Sequence, residues 1–120
     1  MSERMRRVNE ALREVVSESI SALADPRIGF VTVTQVRASP DLAQATVYVS
    51  VLGGERRRTR TLQALERAHG VIQQRVGHEL RLKRTPKLQF AYDETADRAA
   101  RINSLLDADP SPPEDGGADA

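Results

Sequence analysis

The chain has 120 residues, no cysteine and only four aromatic side chains, Phe30, Tyr48, Phe90 and Tyr92. That length suits one domain with one core, and the lack of cysteine excludes disulfides and thiolate metal sites, in keeping with a reducing cytoplasm. The net charge of +1 conceals an asymmetry: residues 1–106 hold all 18 Lys and Arg against 12 acids, a net +6, while residues 107–120 hold five acids and no base. A basic body points to a polyanionic partner. No run is apolar for long enough to span a membrane, and Glu3, Glu10 and Glu14 break up the start of the chain, so neither membrane insertion nor an export signal is expected.

The first predicted element is a helix from about Ser2 to Leu23. Met5, Val8, Leu12, Val16, Ile20 and Leu23 recur at helical spacing, Ser2 suits an N-cap, and Asp25-Pro26 marks a stop. The period then changes to two. FVTVTQVRAS and ATVYVSVL are rich in β-branched residues, and Ser39-Pro40-Asp41-Leu42 between them is turn chemistry, which predicts an antiparallel hairpin. In the second strand Ala45, Val47, Val49 and Val51 share one face. After Gly53-Gly54 a helix is expected from Glu55, interrupted near Gly70 and resuming to about Leu82. KLQFAYD reads as a third strand with Leu88, Phe90 and Tyr92 on one face, and Thr95 to Leu106 as a short helix. Residues 107–120 are rich in Pro, Gly and acid and are expected to be a disordered tail. The order predicts an α+β fold, with a three-stranded sheet covered by helices on one face, in a domain spanning residues 1–106.

No catalytic constellation is visible. His78-Glu79-Leu80-Arg81-Leu82 lacks the second histidine of a zinc-protease motif, Gly53-Gly54 leads into no phosphate-binding loop, and Asp93-Glu94 at a strand end is placed to cap the next helix. The chain is therefore expected to be no enzyme and to need no cofactor or metal. The basic residues carry more information. Arg4, Arg6 and Arg7 open the first helix; Arg56, Arg57, Arg58 and Arg60 open the second; Arg67 and Arg75 lie on the interrupted helix; Arg81, Lys83, Arg84 and Lys87 flank the third strand. Four clusters on a basic body point to a phosphate backbone. Sixteen arginines against two lysines suit bidentate phosphate contacts, and the scarce, strand-borne aromatics favour recognition by shape over base stacking.

These residues also carry a family resemblance. Arg7-Val8, Asp25-Pro26-Arg27-Ile28-Gly29, Val33-Thr34-Gln35-Val36, Ser39-Pro40-Asp41-Leu42, Ala45-Thr46-Val47-Tyr48-Val49-Ser50, Ala68-His69-Gly70, Arg81-Leu82 and Pro86-Lys87-Leu88-Gln89-Phe90-Ala91-Tyr92-Asp93 follow one another in order and spacing. Over residues 1–106 the chain resembles the ribosome-binding factor A family. The resemblance implies a KH-like fold of type II order, α-β-β-α-kink-α-β, with a short C-terminal helix. It implies a small-subunit assembly factor tied to cold adaptation, a monomer that binds 16S rRNA in the immature 30S subunit and leaves with help from a GTPase. KH domains grip nucleic acid through a Gly-x-x-Gly loop, which this chain lacks. The family has a tight Ala-x-Gly kink in its place, here Ala68-His69-Gly70, and Gly70 is expected to bend the helix by adopting a positive φ. Two other readings stay open on the residues alone: a general KH-like RNA chaperone, and a protein–protein adaptor using the exposed sheet face.

Overall fold

The computed structural model describes residues 2–82, 84–95 and 98. Helix α1, Glu3–Ser21, begins as the sequence indicates: Ser2 is extended and its hydroxyl accepts the Met5 N–H at 3.1 Å. Its stripe of Leu12, Val16 and Ile20 is buried. The helix stops before Asp25-Pro26, in a tight turn where the Leu23 N–H reaches the Ile20 carbonyl and Leu23 packs on the core. Strands β1, Val31–Ala38, and β2, Gln44–Val51, pair antiparallel. Their connection is held by its own side chains: the Ser39 hydroxyl accepts the Ala43 and Gln44 N–H groups, each at 3.1 Å, and Leu42 turns the chain with φ 58°. A bulge at Thr34 shifts the register of β1 between Val33 and Gln35.

Helices α2, Glu55–Arg67, and α3, His69–Glu79, cross to β3, Lys87–Tyr92, which lies parallel to β2, giving the sheet order β1-β2-β3. Helix α1 packs on β1 and α3, and α2 on β3. The core lies between sheet and helices, where Leu12, Val47, Val49, Leu65, Ile72 and Val76 are fully buried. Truncating a leucine at such a site to alanine costs about 2–5 kcal/mol. The other sheet face carries the half-exposed and exposed residues Thr32, Arg37, Thr46, Tyr48 and Gln89.

The break between α2 and α3 differs from expectation. It falls at Ala68, with φ −88° and ψ 5°, and Gly70 lies inside α3. Among the described residues the positive φ values belong to Leu42 and to Gly53, at 123°, so Gly70 does not take the left-handed conformation. The bend comes from ψ moving toward zero at one alanine, a conformation open to any residue. Of the final helix expected from Thr95 to Leu106, Thr95 and Arg98 are helical, and the helix already includes Glu94. The rest of it, Lys83 and the tail from residue 107 to 120 lie outside the described residues. No helix among the described residues is long and apolar enough to cross a membrane.

Candidate nucleic-acid interface

The loop after α1 and the start of α2 meet at one end of the sheet. Pro26, Arg27, Gly29, Gly54, Arg56, Arg57 and Arg60 line a shallow cleft there, and Thr59 and Gln63 continue it along α2 past Arg56 and Arg60. Arg57 lies across two glycines. A Cβ on Gly53 would sit 2.5 Å from Arg57 Cδ, and one on Gly29 would sit 3.7 Å from it. Gly53 therefore leaves the space that the arginine stem fills, whereas a side chain at Gly29 would meet it at ordinary contact distance; Arg57 itself is exposed. Arg56, Arg57 and Arg60 have no acid partner among the described residues. Arg27 is held differently: its Nε and Nη2 donate to the two Asp25 carboxylate oxygens at 2.9 and 2.7 Å. That fork holds the Asp25 carboxyl down at about 2, with the Arg27 N–H adding to the effect.

Arg58 is different in kind. Its guanidinium lies over the Tyr92 ring, 3.7 Å from the centroid, and it is half-buried. Its place is in the packing of α2 on β3, where a cation over a ring contributes about 0.5–2 kcal/mol. Arg67 is exposed at the end of α2, near enough to Asp25 to help hold that carboxyl down. Arg75 is exposed on α3.

A second basic group lies at the far end of β2. Arg4 and Arg84 flank the hairpin turn with Pro40, Asp41 and Leu42, and Lys87 stands beside Gln44 where β3 enters the sheet. Arg81 is exposed in the same connection. Seven residue steps along β2 separate the two groups, about 23 Å at 3.3 Å per residue. Arg6 and Arg7 both turn to Glu3, at 2.6 and 3.4 Å, which holds that carboxyl below its usual range. Helix α1 therefore neutralises part of its own charge. The structure thus brings Arg56, Arg57 and Arg60 together at one end of the sheet and Arg4, Arg84 and Lys87 at the other, sets Arg6, Arg7 and Arg58 into local pairings, and leaves Arg67 and Arg75 lining neither cleft. Sequence reasoning missed Arg27 as part of the α2 cleft, because only the fold of the loop after α1 brings it there. Arg37, exposed on the outer sheet face, was also missed.

The kink is tied to the sheet by side chains. His69 Nε2 is 3.0 Å from the Leu88 carbonyl, and its ring meets Phe90 edge-on at 6.4 Å. One turn on, Gln73 donates to the Pro86 carbonyl at 2.5 Å and accepts the Leu88 N–H at 3.0 Å. His69 is thus held against β3 by its own contacts. Gly70 is exposed with nothing within 4 Å of where a Cβ would stand. Asp93, the first residue after β3, is buried and caps the helix that follows by accepting the Thr95 N–H at 2.8 Å. Its other oxygen accepts from the Thr34 hydroxyl at the bulge, and these bonds hold its carboxyl below the usual range.

The family model for ribosome-binding factor A matches residues 4–106. The crystal structure of ribosome-binding factor A from Thermus thermophilus is 32% identical, with a TM-score of 0.67, over 73% of this chain and 93% of that one. A candidate ribosome binding factor A from Thermotoga maritima, solved by NMR, is 32% identical with a TM-score of 0.72, over 79% of this chain and 92% of its own. A homology model of the Thermus thermophilus protein, fitted into a cryo-EM map of its complex with the 30S subunit, is 32% identical with a TM-score of 0.60, over 72% of this chain and 92% of that one. With the match running from α1 past β3, and the α+β, KH-like fold in common, the chain belongs to the ribosome-binding factor A family.

Proposed function

We propose that the chain binds the free small ribosomal subunit through its 16S rRNA, as a monomer and without catalysing a reaction, and assists a late step in maturation of that RNA. The observation that carries this reading is the α2 cleft, where Arg56, Arg57 and Arg60 stand exposed and without acid partners among the described residues. Guanidinium groups left unpaired beside one another are suited to bidentate phosphate contacts. The second patch, Arg4, Arg84 and Lys87, offers a further contact about 23 Å away, a spacing that favours a folded RNA surface over a short strand. The complex of the Thermus thermophilus relative with the 30S subunit supports the small subunit as the partner. Release by a GTPase belongs to the same reading and rests on the family resemblance alone.

The test is 16S rRNA binding by the chain and by an Arg56→Gln/Arg60→Gln variant across a salt series. For every phosphate that the variant no longer neutralises, the slope of log affinity against log salt should drop by roughly 0.7–0.9, with an unchanged melting temperature. An unchanged slope would remove the α2 cleft from the interface.

A further inference from the structure

The α2 cleft adjoins a feature that phosphate binding does not use. Phe30 is 79% exposed and Leu52 71% exposed, the two most exposed large apolar side chains among the described residues. Single exposed apolar residues are ordinary. These two are a pair: the Leu52 N–H donates to the Phe30 carbonyl at 3.0 Å, one step beyond the Val31–Val51 pair that ends the hairpin. Val31 and Val51 face the core, so alternation puts Phe30 and Leu52 together on the opposite side. Each is also joined to a glycine under Arg57, Phe30 to Gly29 and Leu52 to Gly53. The apolar pair and the arginine cleft therefore lie at the same end of the sheet, with Phe30 one residue from the cleft-lining Gly29 and Leu52 two from Gly54.

We propose that this surface is a subsite for an unpaired nucleotide, with its base stacked on Phe30 against Leu52 and the flanking phosphates on Arg56, Arg57 and Arg60. A cationic groove beside an exposed aromatic ring is the arrangement by which single-stranded nucleic acid is held. The charge selects the occupant. An apolar pair alone would suit many partners, but three arginines without acid partners among the described residues call for a polyanion, and a flat apolar surface beside them calls for one with exposed rings. The inference rests on the RNA-binding reading and sharpens it: the contact would be at a loop or a single-stranded segment, whereas the sparse aromatics of the sequence suggested recognition by shape alone.

Phe30 lies outside β1 and is exposed, so Phe30→Ala should keep the fold, with melting as the control. The full chain, Phe30→Ala and Arg56→Gln/Arg60→Gln are titrated with single-stranded oligoadenylate and with a blunt RNA duplex. Phe30→Ala should weaken oligoadenylate binding roughly 5- to 150-fold, the worth of one base–aromatic stack, with the salt slope and the duplex affinity unchanged. The arginine variant should weaken both and lower both slopes. In a Phe30→Trp variant the new indole, the sole tryptophan in the chain, should keep the affinity and be quenched on binding oligoadenylate. Wild-type oligoadenylate affinity in Phe30→Ala, with both RNAs weakened by the arginine variant, would overturn the stacking subsite and leave phosphate binding standing. Indifference of both RNAs to both variants would overturn the two together. Failure of Phe30→Ala to bind 30S subunits, with both naked RNAs still bound, would assign the apolar pair to a protein, and the subsite would fall.

Discussion

Gln73 occupies the place of a fourth strand. It sits on α3 and closes the outer edge of β3 with one amide, donating to the Pro86 carbonyl at 2.5 Å and accepting the Leu88 N–H at 3.0 Å. Pro86 and Leu88 are both below 2% exposed. Gln73→Leu keeps the bulk of the side chain and removes both bonds. A buried backbone group left unpaired costs about 1–3 kcal/mol. Gln73 is itself half-buried, so water has some access, and the low end applies to each of the two groups. The expected destabilisation is about 2 kcal/mol in all. At about 4–8 °C per kcal/mol for a domain of this size, the melting temperature should fall by about 8–16 °C. Thermal and urea unfolding followed by circular dichroism would read it, with an unchanged m-value. Gln73→Glu adds a check on mechanism. Its carboxylate can accept from Leu88 but repels the Pro86 carbonyl, so that variant should be destabilised at neutral pH and recover as the carboxyl protonates. A Gln73→Leu variant within about 0.5 kcal/mol of wild type, the ordinary surface range, would refute the reasoning, because water would then be serving β3 equally well.

Gly70→Ala should stabilise the fold by about 0.5–1 kcal/mol, since Gly70 is helical and has open space where the methyl would go; a lower urea midpoint would mean the kink needs a glycine after all. Gly53→Ala should do the opposite, costing on the order of 1–3 kcal/mol, because φ is 123° and the new Cβ would meet Arg57; an unchanged midpoint would show that the turn can relax. Asp25 has its carboxyl held at about 2 by Arg27, below the ordinary 3.8. A depressed carboxylate contributes stability that is full above its unfolded value and lost as pH falls toward the folded one. Between about pH 4 and pH 2, unfolding midpoints of Asp25→Asn should therefore fall less steeply than those of wild type; parallel curves would show that the Arg27 fork contributes nothing.

The elements were legible because their signals are local. Ser2 caps α1 through a hydroxyl three residues from its partner, and the strict alternation of Ala45, Val47, Val49 and Val51 could be buried in one way only. The helix break lies two residues before the glycine that marks it in the sequence, for the opposite reason. Glycine is the weakest residue in the segment, but the bend is anchored by His69 and Gln73 to a strand that arrives fifteen and more residues later. The arginines divide along the same line. Arg58 shares a helix face with the buried Thr61 and Leu65, so its inward turn could have been read from spacing. Arg27 joins the α2 cleft through a loop whose path no periodicity encodes. The separation of the basic residues into two patches follows from the parallel placement of β3, which sets Lys87 beside Gln44 and leaves Arg56 at the other end of β2.

The central claim is that this chain is held on the small ribosomal subunit largely by arginine–phosphate contacts. Co-sedimentation with separated 30S, 50S and 70S particles at low and high salt tests it most directly. The account predicts retention on 30S alone, abolished as salt rises. Equal association with every particle, or 30S binding indifferent to salt, would contradict it.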